Sequence, residues 1–339
     1  GLEGGTLVFD VEANVPWEVE IEAQAREWLS HVGTRAFGSR LLRFEAAPAD
    51  EEREGLIAVS GGGITQTISV LQSASADPES IERKALAAFY RATGGGNWKK
   101  SDGWCSDRPV GTWYGVTVSG GRVTEIRLPD NGLSGRIPAE IGDLKGLLRL
   151  DLKDNRITGS LPDVFGQLQR LGELDLSGNG MGGDLPGSMG ALSQLRVLNL
   201  SRNDFTGRLP ESFRNLSELT EIRASEAGLM GSIAPVAEGS PLLEVVDLSS
   251  NAFTGPIPDA VYGLSRLRSL ELRGNPLSGL ISAAIGNLEQ LETLDLSSTC
   301  ISGDLPRSIG HLARLHTLDL HDAQMSGPLP DVFGRMYAL

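Results

Sequence analysis

The sequence predicts a multidomain chain, a small all-β sandwich followed by an α/β solenoid of stacked coils, and three observations carry that prediction. A leucine-type position recurs ten times at a fixed spacing of 24 residues, from Val123 through Leu147 and Leu171 to Leu339, without insertion or deletion. A glycine column keeps step with it, from Gly135 through Gly159 to Gly327. Residues 1–72 instead alternate apolar and polar side chains with a period of two. A repeat of this length marks an array in which each unit buries its apolar face only against its neighbours. Alternation broken by Gly and Pro marks strands with one buried face. The expected limits are 1–76 for the sandwich, 77–122 for a helical, tryptophan-rich cap, and 123–339 for about nine coils and the start of a tenth.

In the first segment Leu7, Phe9 and Val11 alternate with polar neighbours, as do Trp17, Val19 and Ile21, then Ile57 with Val59, and Ile68 with Val70. Residues 73–77 read as a short polar linker. Asp77 is placed to cap a helix whose first position is Pro78, where a missing N–H costs nothing. Ile81, Ala85, Ala88, Phe89 and Ala92 follow at helical spacing until Gly94-Gly95-Gly96 stops the helix. Trp98, Trp104 and Trp113 are expected to seal the first coil by packing rather than to stack on a ligand.

In each coil a triplet such as Leu150-Asp151-Leu152 reads as a short parallel strand, its leucines facing the core and its middle residue facing outward. Asn131, Asn155, Asn179, Asn203, Asn251 and Asn275 stand where the chain turns, and an amide there can satisfy buried backbone groups of adjacent coils. The glycine column permits positive φ or close coil contact. Ile137-Pro138 and Ile257-Pro258 start the return segment. Ala227, Thr299 and Ala323 break the asparagine rule. The coil at 219–242 departs most, with Ala224 in place of a core leucine and Pro235 shifted by one, so local softening is expected there.

Two resemblances rest on these residues. Asn14-Val15-Pro16-Trp17, Trp28-Leu29, the run 53–59 and Ile68-Ser69-Val70 resemble the BACON family, Bacteroidetes-associated domains often found N-terminal to other modules on secreted proteins. That likeness implies an immunoglobulin-like sandwich whose first strand is cut short before Leu7. Asn97-Trp98 through Trp104-Cys105 to Trp113-Tyr114-Gly115-Val116 resembles the N-terminal cap of plant-type leucine-rich repeat proteins. Residues 123–339 are similar to that family's LxxLxLxxNxLxGxIPxxIGxLxx pattern nearly end to end, which implies a right-handed stack with a concave parallel sheet. The family's cap carries a cysteine pair, whereas Thr117 follows Val116 here, so Cys105 is expected to be a free thiol. Cys300 lies about eight coils away, at roughly 4.8 Å per strand, far beyond the ~7 Å Cα limit for a disulfide. Together the resemblances imply a secreted or surface-anchored protein of a gut-type Bacteroidetes organism, its signal segment removed.

The chain carries a net charge of −14 over 339 residues. Residues 1–76 hold 5 Lys/Arg against 12 Asp/Glu and residues 77–339 hold 25 against 32, so each segment sits at −7. Nucleic acid is excluded as a partner on this charge, and an anionic membrane surface is disfavoured. No apolar run reaches the ~18–20 residues of a membrane span. No Gly-x-Ser-x-Gly elbow and no His-Glu-x-x-His occurs, and Gly61-Gly62-Gly63 lacks the Gly-Lys-Ser/Thr of a phosphate loop. His311, His316 and His321 are spaced by five and align on no strand or helix face, so no metal or other cofactor is expected.

Binding is the expected function, without catalysis. The outward strand centres are Arg127, Asp151, Asp175, Asn199, Arg223, Asp247, Glu271, Asp295 and Asp319, six of nine acidic. This stripe is the candidate partner site, steering a basic or polar protein or glycoprotein. A hydroxyl column, Ser177, Ser201, Ser225, Ser249 and Ser297, runs beside it and ends in His321. No aromatic ring stands on these strand positions, which weakens a sugar platform there. The alternative is capture of polysaccharide by the sandwich, with Trp17 and Trp28 as possible glycan contacts. Leu339 opens a tenth coil, so an apolar end is expected to support weak self-association through Met336, Tyr337 and Leu339.

Overall fold

The computed structural model describes residues 5–11, 17–31, 40–46, 53–72 and 78–339. They divide into two compact units, Gly1–Ile81 and Glu82–Leu339. The expected linker with its Asp77 cap, and Asn14-Val15-Pro16, lie outside the described residues, as does the side chain of Trp17.

The first unit contains two three-stranded antiparallel sheets. One pairs Gly5–Val11 with Arg40–Ala46 and that strand with Leu29–His31; the other pairs Trp17–Ile21 with Arg53–Gly61 and that strand with Ile64–Gln72. Gly62 and Gly63, both at positive φ, close the last hairpin in the geometry that matches strand twist. Side chains from both sheets share one buried cluster, including Trp28, Leu29, Leu42, Phe44, Ile57 and Val70. The strand at 29–31 is too short to read from alternation, whereas Leu42, Phe44 and Ala46 alternate with Arg43 and Glu45, a signal the sequence reading passed over. Trp28 is only 7% exposed. Its indole lies over Gly55, where an added Cβ would come within 2.9 Å of the ring.

The helix Pro78–Ala92 leads into the second unit and buries Ala85, Leu86 and Phe89. Trp98, Trp104 and Trp113 close over them, with ring centroids 4.9 Å apart for the first pair and 5.3 Å for the second. Each buried indole N–H has a carbonyl acceptor: Thr93 at 2.9 Å, Tyr114 at 2.8 Å and Arg108 at 3.2 Å. The packing role expected for these rings is the one they have, and Cys105 and Cys300 are both free thiols. The hairpin Val116–Ser119 and Arg122–Arg127 then starts a ten-stranded sheet. Nine of its strands are parallel, one per coil, from Arg122–Arg127 to Thr317–Asp319.

The coil core is built from the leucine columns, with Leu147, Leu171, Leu195, Leu219, Leu267 and Leu291 fully buried. Opposite the sheet the chain returns through short 3₁₀ turns such as Ala139–Asp143 and Glu211–Asn215. The asparagines staple successive coils. Asn155 Nδ2 donates to Leu128 O and Leu152 O, both at 2.8 Å, while its Oδ1 accepts from Asn131 N and Leu133 N at 3.0 Å. The glycine column takes positive φ at eight of its nine positions; Gly207 is the exception, where a Cβ would meet Asp184 Oδ1 at 2.4 Å. The coil at 219–242 returns through an α-helix, Ala234–Gly239, in place of a 3₁₀ turn. Without an asparagine at 227, Phe205 N donates directly to Ala227 O at 2.9 Å.

Candidate functional site

The outward face of the long sheet gathers all nine residues of the predicted stripe. Arg127, Asp151, Asp175, Asn199, Arg223, Asp247, Glu271, Asp295 and Asp319 pair in register on successive strands. Neighbours in this row therefore stand about one strand spacing, 4.7–4.9 Å, apart. From Asp151 onward the row is half-buried.

Several of these carboxylates also do local work. Asp175 Oδ1 accepts from Ser177 Oγ at 2.6 Å and from Ser177 N at 2.9 Å. Asp247 with Ser249, and Asp295 with Ser297, repeat the arrangement. Asp319 accepts from His321 N at 3.0 Å and lies 2.6 Å from His321 Nδ1. These are turn-closing bonds of the kind short polar side chains make at the ends of strands. One carboxylate oxygen is thus taken up by the fold, which accounts for the hydroxyl column beside the acids.

Electrostatics divides the face. Arg127 pairs with Glu125 at 3.0 Å and Arg223 with Glu221 at 2.6 Å, so the two arginines of the row are neutralised on their own strands. Asp247, Glu271, Asp295 and Asp319 form an uninterrupted acidic run. Burial pushes the Asp151 carboxyl up, and the neighbouring Asp175 charge adds to it, against the opposing bond from Lys153 N. A cation docking at that pair would offset the repulsion between the two carboxylates.

At the N-terminal ends of the strands Arg149–Asp151, Glu173–Asp175 and Val197–Asn199 of the same sheet lies an open groove of about 390 Å³, bordered by Leu148, Arg170, Gly172, Glu173, Arg196 and Val197. Sequence reading centred on the middle strand position and passed over these residues, which stand just before it in each coil. Met336 is only 4% exposed, so it cannot serve the self-association expected of it, whereas Tyr337 at 93% and Leu339 at 46% are open. Among the described residues no group of three or more His, Cys, Asp or Glu is placed to hold a metal ion. Among those residues, too, no helix is long and apolar enough to cross a membrane.

The family profiles described as leucine rich repeat match residues 121–181 and, separately, 194–216, 242–264, 266–288 and 290–312. The second unit is a leucine-rich repeat domain. Its fold is shared by solved ectodomains of plant receptors. The ectodomain of the membrane receptor kinase GASSHO1/SCHENGEN3 from Arabidopsis thaliana, in complex with CASPARIAN STRIP INTEGRITY FACTOR 2, is 38% identical over 62% of this chain and 26% of its own, with a TM-score of 0.60. The Arabidopsis receptor kinase HAESA, in complex with the peptide hormone IDA and the co-receptor SERK1, is 28% identical over 78% of this chain and 44% of its own, with a TM-score of 0.70. A plant ice-binding protein is 27% identical over 74% of this chain and 88% of its own, with a TM-score of 0.58. The chain thus spans less than half the length of either receptor chain. Among curated proteins, none matches this sequence. The leucine-rich repeat domain presents its repeated geometry, a parallel strand per coil, as the surface on which the predicted stripe stands.

Proposed function

We propose that the leucine-rich repeat domain is a non-enzymatic, extracellular binding module whose sheet face takes a protein or peptide partner. The observation that carries this reading is the in-register row of nine outward side chains on nine successive parallel strands. A row of that length suits an extended polypeptide better than a compact small molecule, because every strand adds one more contact at a constant step. The similar HAESA structure, in complex with the peptide hormone IDA and a co-receptor, supports a peptide or protein as the class of partner. The acidic run from Asp247 to Asp319 favours a basic or polar segment over that half of the face. The N-terminal unit fits a BACON-like sandwich serving as a spacer or second recognition module on a secreted or surface-anchored chain. Polysaccharide capture by that unit has less support, since the Trp28 ring is buried.

The test is a binding screen of the intact chain against extracellular proteins, peptides and glycans at two salt concentrations. Protein or peptide binding that weakens with salt, and falls about tenfold with Asp247→Lys plus Asp295→Lys, is the expected result. Glycan binding untouched by those substitutions, with no protein or peptide bound, would overturn it.

A further inference from the structure

The groove at the N-terminal ends of the strands Arg149–Asp151, Glu173–Asp175 and Val197–Asn199 differs in charge from the acidic row beside it. Its one carboxylate, Glu173, pairs with Arg149, which lies outside the groove. Arg170 and Arg196 are both exposed, and among the described residues neither guanidinium has a carboxylate within ion-pair distance. The three arginines at the strand positions nearby, Arg127, Arg149 and Arg223, are each paired with a glutamate. On a chain of net charge −14, two unbalanced cations bordering one groove mark a local reversal of sign. The groove also has an apolar side: Leu148 is 38% exposed, Val197 is half-buried, and Gly172 between them has no side chain to fill the floor. Thr220 Oγ1 donates to Arg196 O at 3.0 Å and holds that strand in place.

We infer that this groove binds an acidic peptide segment, a side-chain carboxylate between Arg170 and Arg196 with a neighbouring aliphatic side chain against Leu148 and Val197. The inference rests on the sheet face being a polypeptide-binding surface and adds the chemistry of one end of the ligand. Guanidinium donors match a carboxylate in geometry as well as charge. The volume of about 390 Å³ accommodates one or two side chains, the scale of an anchoring pocket rather than of a whole ligand. The absence of a large side chain at Gly172 lets a peptide backbone approach the strand. A ligand that runs from here onto the row carries an acid at this end and a base where it meets Asp151 and Asp175.

The experiment selects peptides from a random phage library with the intact chain, then measures the selected peptides by fluorescence anisotropy. Peptides with Asp or Glu next to Leu, Val or Ile are expected. Their affinity should fall about tenfold or more with Arg170→Glu plus Arg196→Glu, fall less with the two glutamine substitutions, and fall again when the peptide's own acid is made an amide. An unchanged thermal midpoint checks that each variant is folded. Selected peptides that respond to Asp247→Lys plus Asp295→Lys but not to the arginine substitutions would overturn the groove while leaving the sheet face as a binding surface. Failure to select any peptide would overturn both. Binding of an oligouronate through the two arginines, with no peptide bound, would overturn the acidic peptide in favour of an anionic glycan.

Discussion

At the scale of single residues, every coil turns through a left-handed conformation one position before the asparagine column. Asp130, Asp154, Arg202, Glu226, Ser250, Ser298 and Asp322 take φ between 45° and 54°, and Gly178 and Gly274 occupy the remaining two places. Steric strain at such a position is relieved by glycine, though glycine loses more freedom on folding. Glu226→Gly should therefore raise stability by up to about 1 kcal/mol in a denaturant titration. Arg202→Gly should gain less, because Arg202 also pairs with Asp154 at 2.8 Å. The Asp319–His321 pair gives a pH signature. The backbone and side-chain bonds from His321 hold the Asp319 carboxyl below its ordinary 3.8, and the bond to Asp319 holds the His321 imidazole above its ordinary 6.5. The lowered acid contributes stability that is present above 3.8 and lost as pH falls through its folded value. The raised imidazole contributes stability that is present below 6.5 and lost as pH rises through its own folded value. The pair thus supports the last coil in the window between 3.8 and 6.5. An NMR titration should show His321 above an ordinary histidine, and Asp319→Asn should remove the shift.

At the scale of elements, the cap is locked to the first coil by one buried carboxylate. Glu82 is 1% exposed, and its oxygens accept from Val123 N at 2.7 Å and from Arg122 Nε at 2.9 Å. Glu82→Ala leaves a buried amide without its partner and should cost roughly 2–4 kcal/mol, read by thermal or chemical unfolding. Glu82→Gln keeps an acceptor for Val123 N and should cost less. The coil at 219–242 is the element where the repeat is weakest. Its sheet strand keeps both neighbours, but Ala227 has only its backbone to offer, accepting from Phe205 N and donating to Asn251 Oδ1, where the Asn155 side chain makes five bonds. Amides of this coil should exchange faster than those of the coils on either side. Uniform protection along the array would refute that expectation. The helix Ala234–Gly239 was not legible in the sequence, because Pro235 looked like a shifted member of the return pattern and not the first turn of a helix.

At the scale of the whole molecule, charge separates two kinds of recognition. A net charge of −14 and the acidic row make the association rate with a basic partner sensitive to salt. Raising the salt concentration should slow association more than it speeds dissociation. Contacts at the Arg170–Arg196 groove should instead show in dissociation, and stopped-flow kinetics on a selected peptide separates the two. The 24-residue period determined the solenoid, its register, its leucine core and the row at Arg127 to Asp319, because each coil contacts only its neighbours and so repeats a local rule. Alternation placed four strands of the N-terminal unit, but the pairing of Leu29–His31 with Arg40–Ala46, and the seat of Trp28 over Gly55, join residues far apart in the chain. Tertiary structure alone decided which charges are free. Arg149 and Glu173 cancel between neighbouring coils, while among the described residues Arg170 and Arg196 have no carboxylate within ion-pair distance. A one-dimensional repeat fixes which residues face outward and which engage a neighbour two positions away, as Arg223 does with Glu221 and Asp175 with Ser177; pairs between coils, such as Arg149 with Glu173, exist only once the coils are stacked.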